Sequence, residues 1–91
     1  MDRERLVERL EAEFGGSASA RRAVSRQARD LADSGRIAAE LDYELTVDAV
    51  ISNLQDAPED HTLAERWNWW IDSLELSHGG YQRFAVRPDI E

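Results

Sequence analysis

The chain has 91 residues, a net charge of −8 and no cysteine. This length allows one domain, and the lack of cysteine excludes disulfides and zinc sites built on thiolates. No apolar run reaches the roughly 18 residues that a membrane span needs. The first residues lead into an amphipathic pattern rather than the apolar core of a signal peptide, so we expect a cytoplasmic protein.

The charged residues are unusual in kind as well as in balance. Nineteen acidic residues oppose eleven basic ones, and every basic residue is arginine. At molar salt the Debye length falls to about 3 Å, so a protein there can carry dense carboxylates without strong self-repulsion. The composition therefore predicts a domain adapted to high salt.

The first half of the chain predicts two helices. Asp2 is a suitable N-cap for the first, and Gly15 ends it. Ser17 or Ser19 can cap the second, and Gly35 is well placed as its left-handed terminating residue. Apolar residues recur at helical spacing in both: Leu6, Val7, Leu10 and Phe14, then Ala20, Ala23, Val24, Ala28 and Leu31.

Residues 36–45 fit two interpretations. Ile37, Ala38, Leu41 and Leu45 fit a short helix, whereas residues 41–45 alternate as in a strand. We favour the helix, because a lone strand would need a partner strand and the chain offers only one other candidate.

Two further helices and a tail complete the predicted fold. Thr46 is a suitable N-cap for the fourth helix, and Thr62 with Glu65 forms a capping-box pattern at the start of the last one. Residues 78–91 are expected to form an extended tail. The predicted fold class is all-α, with four to five short helices in one bundle-like domain covering residues 1–91.

Two sequence stretches suggest a family. They are Glu65-Arg66-Trp67-Asn68-Trp69-Trp70 and Gly79-Gly80-Tyr81-Gln82-Arg83-Phe84. With the acidic composition, they resemble small acidic proteins of halophilic archaea. The resemblance implies a salty habitat and no particular mechanism.

Trp69 does not fit the buried stripe of the last helix. At 100° per residue it lies about 160° from Trp67, and Leu76 falls close to the same line. Three alternatives follow: coverage by the tail residues Tyr81, Phe84 or Val86, burial against another protein, or a ligand platform. We take Trp69, Leu76, Tyr81 and Phe84 as candidate interaction residues.

The second helix carries a basic face. Segment 17–37 has five arginines against two aspartates, and Arg22, Arg26 and Arg29 share one side. Such a face could bind the phosphates of a nucleic acid. The alternative, which we favour, is that these arginines pair with carboxylates, because electrostatic affinity for nucleic acid falls steeply with salt.

No pattern indicates catalysis or a cofactor. The chain lacks a nucleophile elbow, a glycine-rich phosphate loop and an HExxH motif. His61, Glu65 and Asp60 are near in sequence, but no second histidine accompanies them, so we expect no metal site. The sequence predicts a non-enzymatic protein–protein interaction domain that self-associates, with a nucleic-acid-associated regulator as the alternative.

Overall fold

The computed structural model describes residues 1–90, which form five helices and no strand. This confirms the predicted all-α class. The helices are α1 (Arg3–Phe14), α2 (Ala18–Ser34), α3 (Arg36–Leu41), α4 (Val47–Gln55) and α5 (Leu63–His78).

Side-chain caps fix where four of the helices begin. Asp2, Ser17, Thr46 and Thr62 each accept a hydrogen bond from a backbone N–H in the first turn. At α5 the bond is reciprocal, since the Glu65 carboxylate accepts from the Thr62 N–H at 2.8 Å. These caps confirm the predicted helix starts, because each satisfies a donor that the helix itself leaves free.

The ambiguous stretch is helical at its start. Gly35 adopts the left-handed conformation with φ 74° and ends α2, and α3 follows at once. Asp42, with φ 62°, ends α3 after six residues. Residues 42–46 then carry the chain to α4 with Leu45 buried. The predicted helix is confirmed for residues 36–41.

One hydrophobic core joins all five helices and the tail. Trp67 and Ile71 of α5 are fully buried and belong to the same cluster as Leu6 and Leu10 of α1. Trp67 and Trp70 pack edge to face, with ring centroids 5.4 Å apart, a geometry that aromatic quadrupoles favour. The other members come from α2 to α5, from the loop before α4 and from the tail: Ala20, Val24, Ala28, Leu31, Ile37, Leu45, Val47, Val50, Ile51, Leu54, Leu63, Ala64, Leu74, Tyr81, Phe84 and Val86.

The core contains one polar side chain. Ser25 on α2 is fully buried, and its hydroxyl has no hydrogen-bond partner among the described residues. A buried hydroxyl without a partner opposes folding, because its hydration is lost and not replaced.

The tail departs from the prediction. Helix α5 includes His78, and residues 82–84 form a 3-10 turn rather than an extended segment. Residues 85 and 86 are non-helical, and Glu91 lies outside the described residues. The prediction of an extended tail was therefore wrong for residues 82–84. The cause is a set of long-range contacts, described below, that fold the tail against α5.

The length and hydropathy of the helices also bear on membrane insertion. Within residues 1–90, no helix combines the length and apolar character needed to cross a bilayer.

Candidate functional site

Trp67 and Asn68, consecutive residues on α5, bind the main chain of the tail. The Trp67 indole N–H donates to the Phe84 carbonyl at 2.8 Å. The Asn68 side chain donates to the Val86 carbonyl at 2.9 Å and accepts from the Val86 N–H at the same distance. We call Trp67 and Asn68 the tail clamp. All three of its hydrogen bonds are to main-chain atoms of the tail, so the tail clamp recognises the backbone conformation of the tail.

The clamped segment begins at Phe84, the last residue of the 3-10 turn, becomes extended at Ala85, and alternates in burial. Ala85 has φ −67° and ψ 153°. Phe84 and Val86 are buried in the core, whereas Ala85 between them is only half-buried. The arrangement therefore resembles an added strand, in which main-chain hydrogen bonds give affinity and alternate side chains occupy pockets.

Glu75, at the end of α5, holds the start of the tail. Its carboxylate accepts hydrogen bonds from the backbone N–H groups of Gly80, Tyr81 and Gln82, each at 3.0 Å. These bonds, the one from Tyr81 most of all, hold the pKa of the Glu75 carboxyl below its usual value. They favour the charged form because a carboxylate is the better acceptor. Three converging N–H donors also explain why the chain turns here.

Arg36 connects the short helix α3 to the same part of the tail. Its guanidinium donates to the carbonyls of Gly79 and Gly80 and lies 4.2 Å from the centre of the Tyr81 ring. It also pairs with Glu40 one turn later, at 3.0 Å. Arg36 thus satisfies two carbonyl groups just beyond the end of α5.

Glu40 and Tyr81 complete this contact. The Tyr81 hydroxyl donates to the Glu40 carboxylate at 2.6 Å. That bond is the main cause of the lowered pKa of Glu40; partial desolvation opposes it and the charge of Arg36 adds to it. Burial, and then the bond to Glu40, raise the pKa of Tyr81 to about 12. The tail is therefore fixed at both ends, by Glu75, Arg36 and Glu40 at its start and by the tail clamp further on.

Trp69 and Leu76 lie on the side of α5 opposite to Trp67. Trp69 is half-buried and packs against the hydrophobic core, whereas Leu76 is 90% exposed. Ser73 and Asp72 lie between them and are both exposed; the Asp72 carboxylate accepts a hydrogen bond from the Gln82 side chain at 2.8 Å. We call Trp69 and Leu76 the outer face of α5.

The four residues Trp67-Asn68-Trp69-Trp70 thus divide between three environments. Trp67 and Trp70 build the core, Asn68 binds the tail and Trp69 lies towards solvent. A protein-family model, the WNWW domain, matches residues 1–75 of the chain. The chain belongs to the WNWW domain family. Curated proteins and solved structures provide no match.

The residues matched by the family model include the tail clamp but not the tail segment that it binds. The WNWW domain match includes Trp67, Asn68 and, as its last residue, Glu75. The residues that these side chains bind, 80–86, lie beyond it. The sequence analysis assigned no role to Asn68. The feature that could have indicated one is the position of this amide side chain between Trp67 and the pair Trp69 and Trp70.

Two of the predicted interaction residues lie inside the protein. Tyr81 is fully buried and Phe84 is 3% exposed. Neither side chain is available to a partner while the tail is in place, because both pack into the core of their own chain. The prediction that Tyr81 and Phe84 belong to an interaction surface was therefore wrong. The outer face of α5 remains as the candidate surface.

The predicted basic face is exposed on α2. Arg29 lies 3.8 Å from Asp33, and Arg22 donates to the Ser19 hydroxyl at 3.4 Å. Within residues 1–90, neither Arg22 nor Arg26 forms an ion pair. The favoured interpretation was that these arginines pair with carboxylates on this molecule or on a second copy; within residues 1–90, pairing on this molecule is found for Arg29, and pairing with a second copy stays a prediction.

The residues around His61 have other partners. The Glu65 carboxylate is engaged in the cap of α5, and the His61 ring lies 3.4 Å from the Asp60 carboxylate. Nowhere in the described part of the chain do three or more histidine, aspartate or glutamate side chains form a group that could hold a metal.

Proposed function

We propose that this WNWW domain is a non-enzymatic protein–protein interaction domain, and that its outer face of α5 binds a second copy of the chain. The observation that carries the proposal is Leu76, an aliphatic side chain that is 90% exposed in line with Trp69. An isolated leucine on a surface is ordinary, but this one lies two helical turns from the half-buried Trp69 on the same side of α5, so the two give an apolar pair with Asp72 and Ser73 between them. Tryptophan is also enriched at the centres of protein interfaces.

The geometry of the outer face of α5 fits a symmetric pair. Trp69 and Leu76 are seven residues apart, about 10 Å along the helix axis. If two α5 helices cross antiparallel about a two-fold axis near Asp72 and Ser73, the Trp69 of each copy meets the Leu76 of the other. Such a self-complementary contact is the usual form of a homodimer.

Charge sets the condition under which this pair forms. Each copy carries a net charge of −8, and the two Asp72 side chains approach one another across the axis. Molar salt screens that repulsion, because the Debye length is then about 3 Å. We therefore expect the dimer to strengthen as salt rises.

The experiment measures molecular mass by light scattering, from low to molar salt, for the wild type and for Leu76→Ser. Leu76 makes few contacts with its own chain, so its replacement leaves the fold intact. A salt-dependent dimer in the wild type that is lost in Leu76→Ser supports the proposal. The control is Tyr43→Ser, at an exposed aromatic residue after α3, which should leave the dimer unchanged. A wild type that stays monomeric, or a Leu76→Ser variant that still dimerises, overturns it.

A nucleic-acid-associated regulator is the second candidate. The exposed guanidiniums of Arg22 and Arg26, without ion pairs within residues 1–90, favour it. The net charge of −8 opposes it. Binding of a duplex DNA at low salt that Arg22→Gln and Arg26→Gln abolish would support this function; no binding by the wild type would exclude it.

A further inference from the structure

The tail clamp contains the elements of a peptide-binding site. Trp67 is fully buried, so its indole N–H needs an acceptor that solvent does not supply. Asn68 presents one donor and one acceptor to a single residue, Val86, as a neighbouring strand would. Any segment with the same backbone path can satisfy all three groups, because none of the bonds involves a side chain of the occupant.

The side chains of the occupant indicate what the site selects. Phe84 and Val86 are buried on either side of the half-buried Ala85. The pattern is an aromatic residue at the end of a 3-10 turn, then a small residue in extended conformation, then an aliphatic residue. The clamp belongs to the matched family region, and this occupant lies outside it.

We propose that Trp67 and Asn68 form a docking site for a segment of another protein that has this aromatic–small–aliphatic pattern and follows the same backbone path. Residues 84–86 are the intramolecular occupant, and an external segment binds by displacing them. The site is separate from the outer face of α5, so this proposal does not depend on dimerisation.

The attachment of the tail explains how the site is kept closed. A short tether gives its own segment an effective concentration in the millimolar range. Glu75 and Arg36 add to this by fixing residues 79–82 next to the clamp. An external segment therefore binds the intact chain weakly and binds well once the tail is loosened.

The experiment loosens the tail in the full-length chain. Phe84→Ser with Val86→Ser keeps the tail's length and main chain but removes the two buried side chains. The probe is a synthetic, dye-labelled peptide with the sequence of residues 79–90, followed by fluorescence anisotropy and by its effect on the melting temperature. We expect saturable binding to the loosened variant and a rise in melting temperature with peptide concentration. The wild type should need a much higher peptide concentration.

Two controls test the recognition itself. A peptide with serine in place of both Phe84 and Val86 should not bind. Asn68→Asp, added to the loosened variant, removes the donor to the occupant's carbonyl and should weaken binding about tenfold, as expected for one hydrogen bond. Absence of binding to a folded loosened variant overturns the proposal, and so does equal binding of the serine peptide.

A second measurement applies if the loosened variant does not fold. Nitrogen-15-labelled wild type is titrated with unlabelled peptide while the Trp67 indole and Val86 amide resonances are followed. Displacement should move the Val86 amide to the position of a free tail, with the Trp67 indole remaining hydrogen-bonded. If neither resonance responds at millimolar peptide, the site does not exchange its occupant and the proposal fails.

Discussion

The indole N–H of Trp67 and the main-chain carbonyl of Phe84 form a buried hydrogen bond of 2.8 Å between α5 and the tail. Trp67→Phe keeps most of the ring but leaves that carbonyl unpaired, which should cost about 1–3 kcal/mol. Trp67→Ala also empties the centre of the core and should cost roughly 3–5 kcal/mol. Chemical denaturation of both variants separates the two contributions. Equal costs would mean that packing of the ring in the core adds nothing beyond the hydrogen bond.

Two structural features favour glycine at position 80. Its φ is +79°, and a β-carbon there would lie 2.7 Å from the Arg36 guanidinium. Gly80→Ala should therefore destabilise more than Gly35→Ala, where φ is +74° but the added carbon meets nothing within 4 Å. Gly35→Ala measures the backbone strain alone, about 1 kcal/mol. With Arg36→Ala already present, Gly80→Ala should cost no more than that; an undiminished cost would place the clash elsewhere.

Acid should loosen the start of the tail. The pKa of Glu75 is lowered in the folded protein by hydrogen bonds from Tyr81, Gln82 and Gly80, so the folded state binds this proton less readily than the unfolded one. The stabilisation is complete above the ordinary pKa of 4.5 and is lost as pH falls through the lower, folded-state pKa. Melting temperatures measured between neutral pH and pH 3 should fall.

The variant Glu75→Gln tests that assignment. It removes the titrating group and retains an oxygen acceptor, so its melting temperature should be lower at neutral pH and should change less with acid. The exposed Glu59 serves as the control, and Glu59→Gln should leave the pH profile unchanged. If Glu75→Gln has the same pH profile as the wild type, the acid response comes from other carboxylates.

Removing the Ser25 hydroxyl should stabilise the protein. This oxygen is buried without a hydrogen-bond partner among the described residues, so Ser25→Ala relieves a desolvation cost of about 1 kcal/mol. Ser52→Ala on the exposed surface of α4 gains the same helix propensity without that relief and is the matched control. The midpoint of denaturation should rise more for Ser25→Ala than for Ser52→Ala. A loss of stability in Ser25→Ala would show that the hydroxyl has a role in the core.

High salt should stabilise the fold if the chain is adapted to a salty environment. Nineteen acidic residues oppose eleven arginines, and their repulsion is strongest when it is unscreened. The melting temperature should rise with sodium chloride from millimolar to molar concentration. Sucrose, which does not screen charge, separates this effect from preferential exclusion. A melting temperature that is flat in sodium chloride would contradict the adaptation to salt.

Local signals were sufficient to predict the helices. Asp2, Thr46 and Thr62 are followed by backbone donors within three residues, so each cap is encoded where it acts. Gly35 likewise ends α2 through its own backbone conformation. The helical phase of α5 also placed Trp67 in the core and Leu76 at the surface.

The tail could not be predicted in the same way. Its turn depends on Glu75 and on Arg36, which lies 44 residues before the Gly80 carbonyl that it binds. Neither side chain belongs to a local motif that specifies a turn at residues 82–84. For the same reason, Tyr81 and Phe84 looked like surface aromatics in a short tail, and their burial emerges only when the tail packs against α5 and α3.

Recognition through the main chain has a consequence for how this protein can change over time. The Phe84 carbonyl and both polar main-chain groups of Val86 are present whatever side chains those positions carry, except that proline at position 86 would remove the N–H. Substitutions in the segment that keep an apolar residue at each end would preserve every hydrogen bond to Trp67 and Asn68. The sequence of this segment can therefore change during evolution. Trp67 and Asn68 cannot change without loss of these hydrogen bonds. A sequence comparison based on residue identity would detect Trp67 and Asn68 and would miss the segment that they bind.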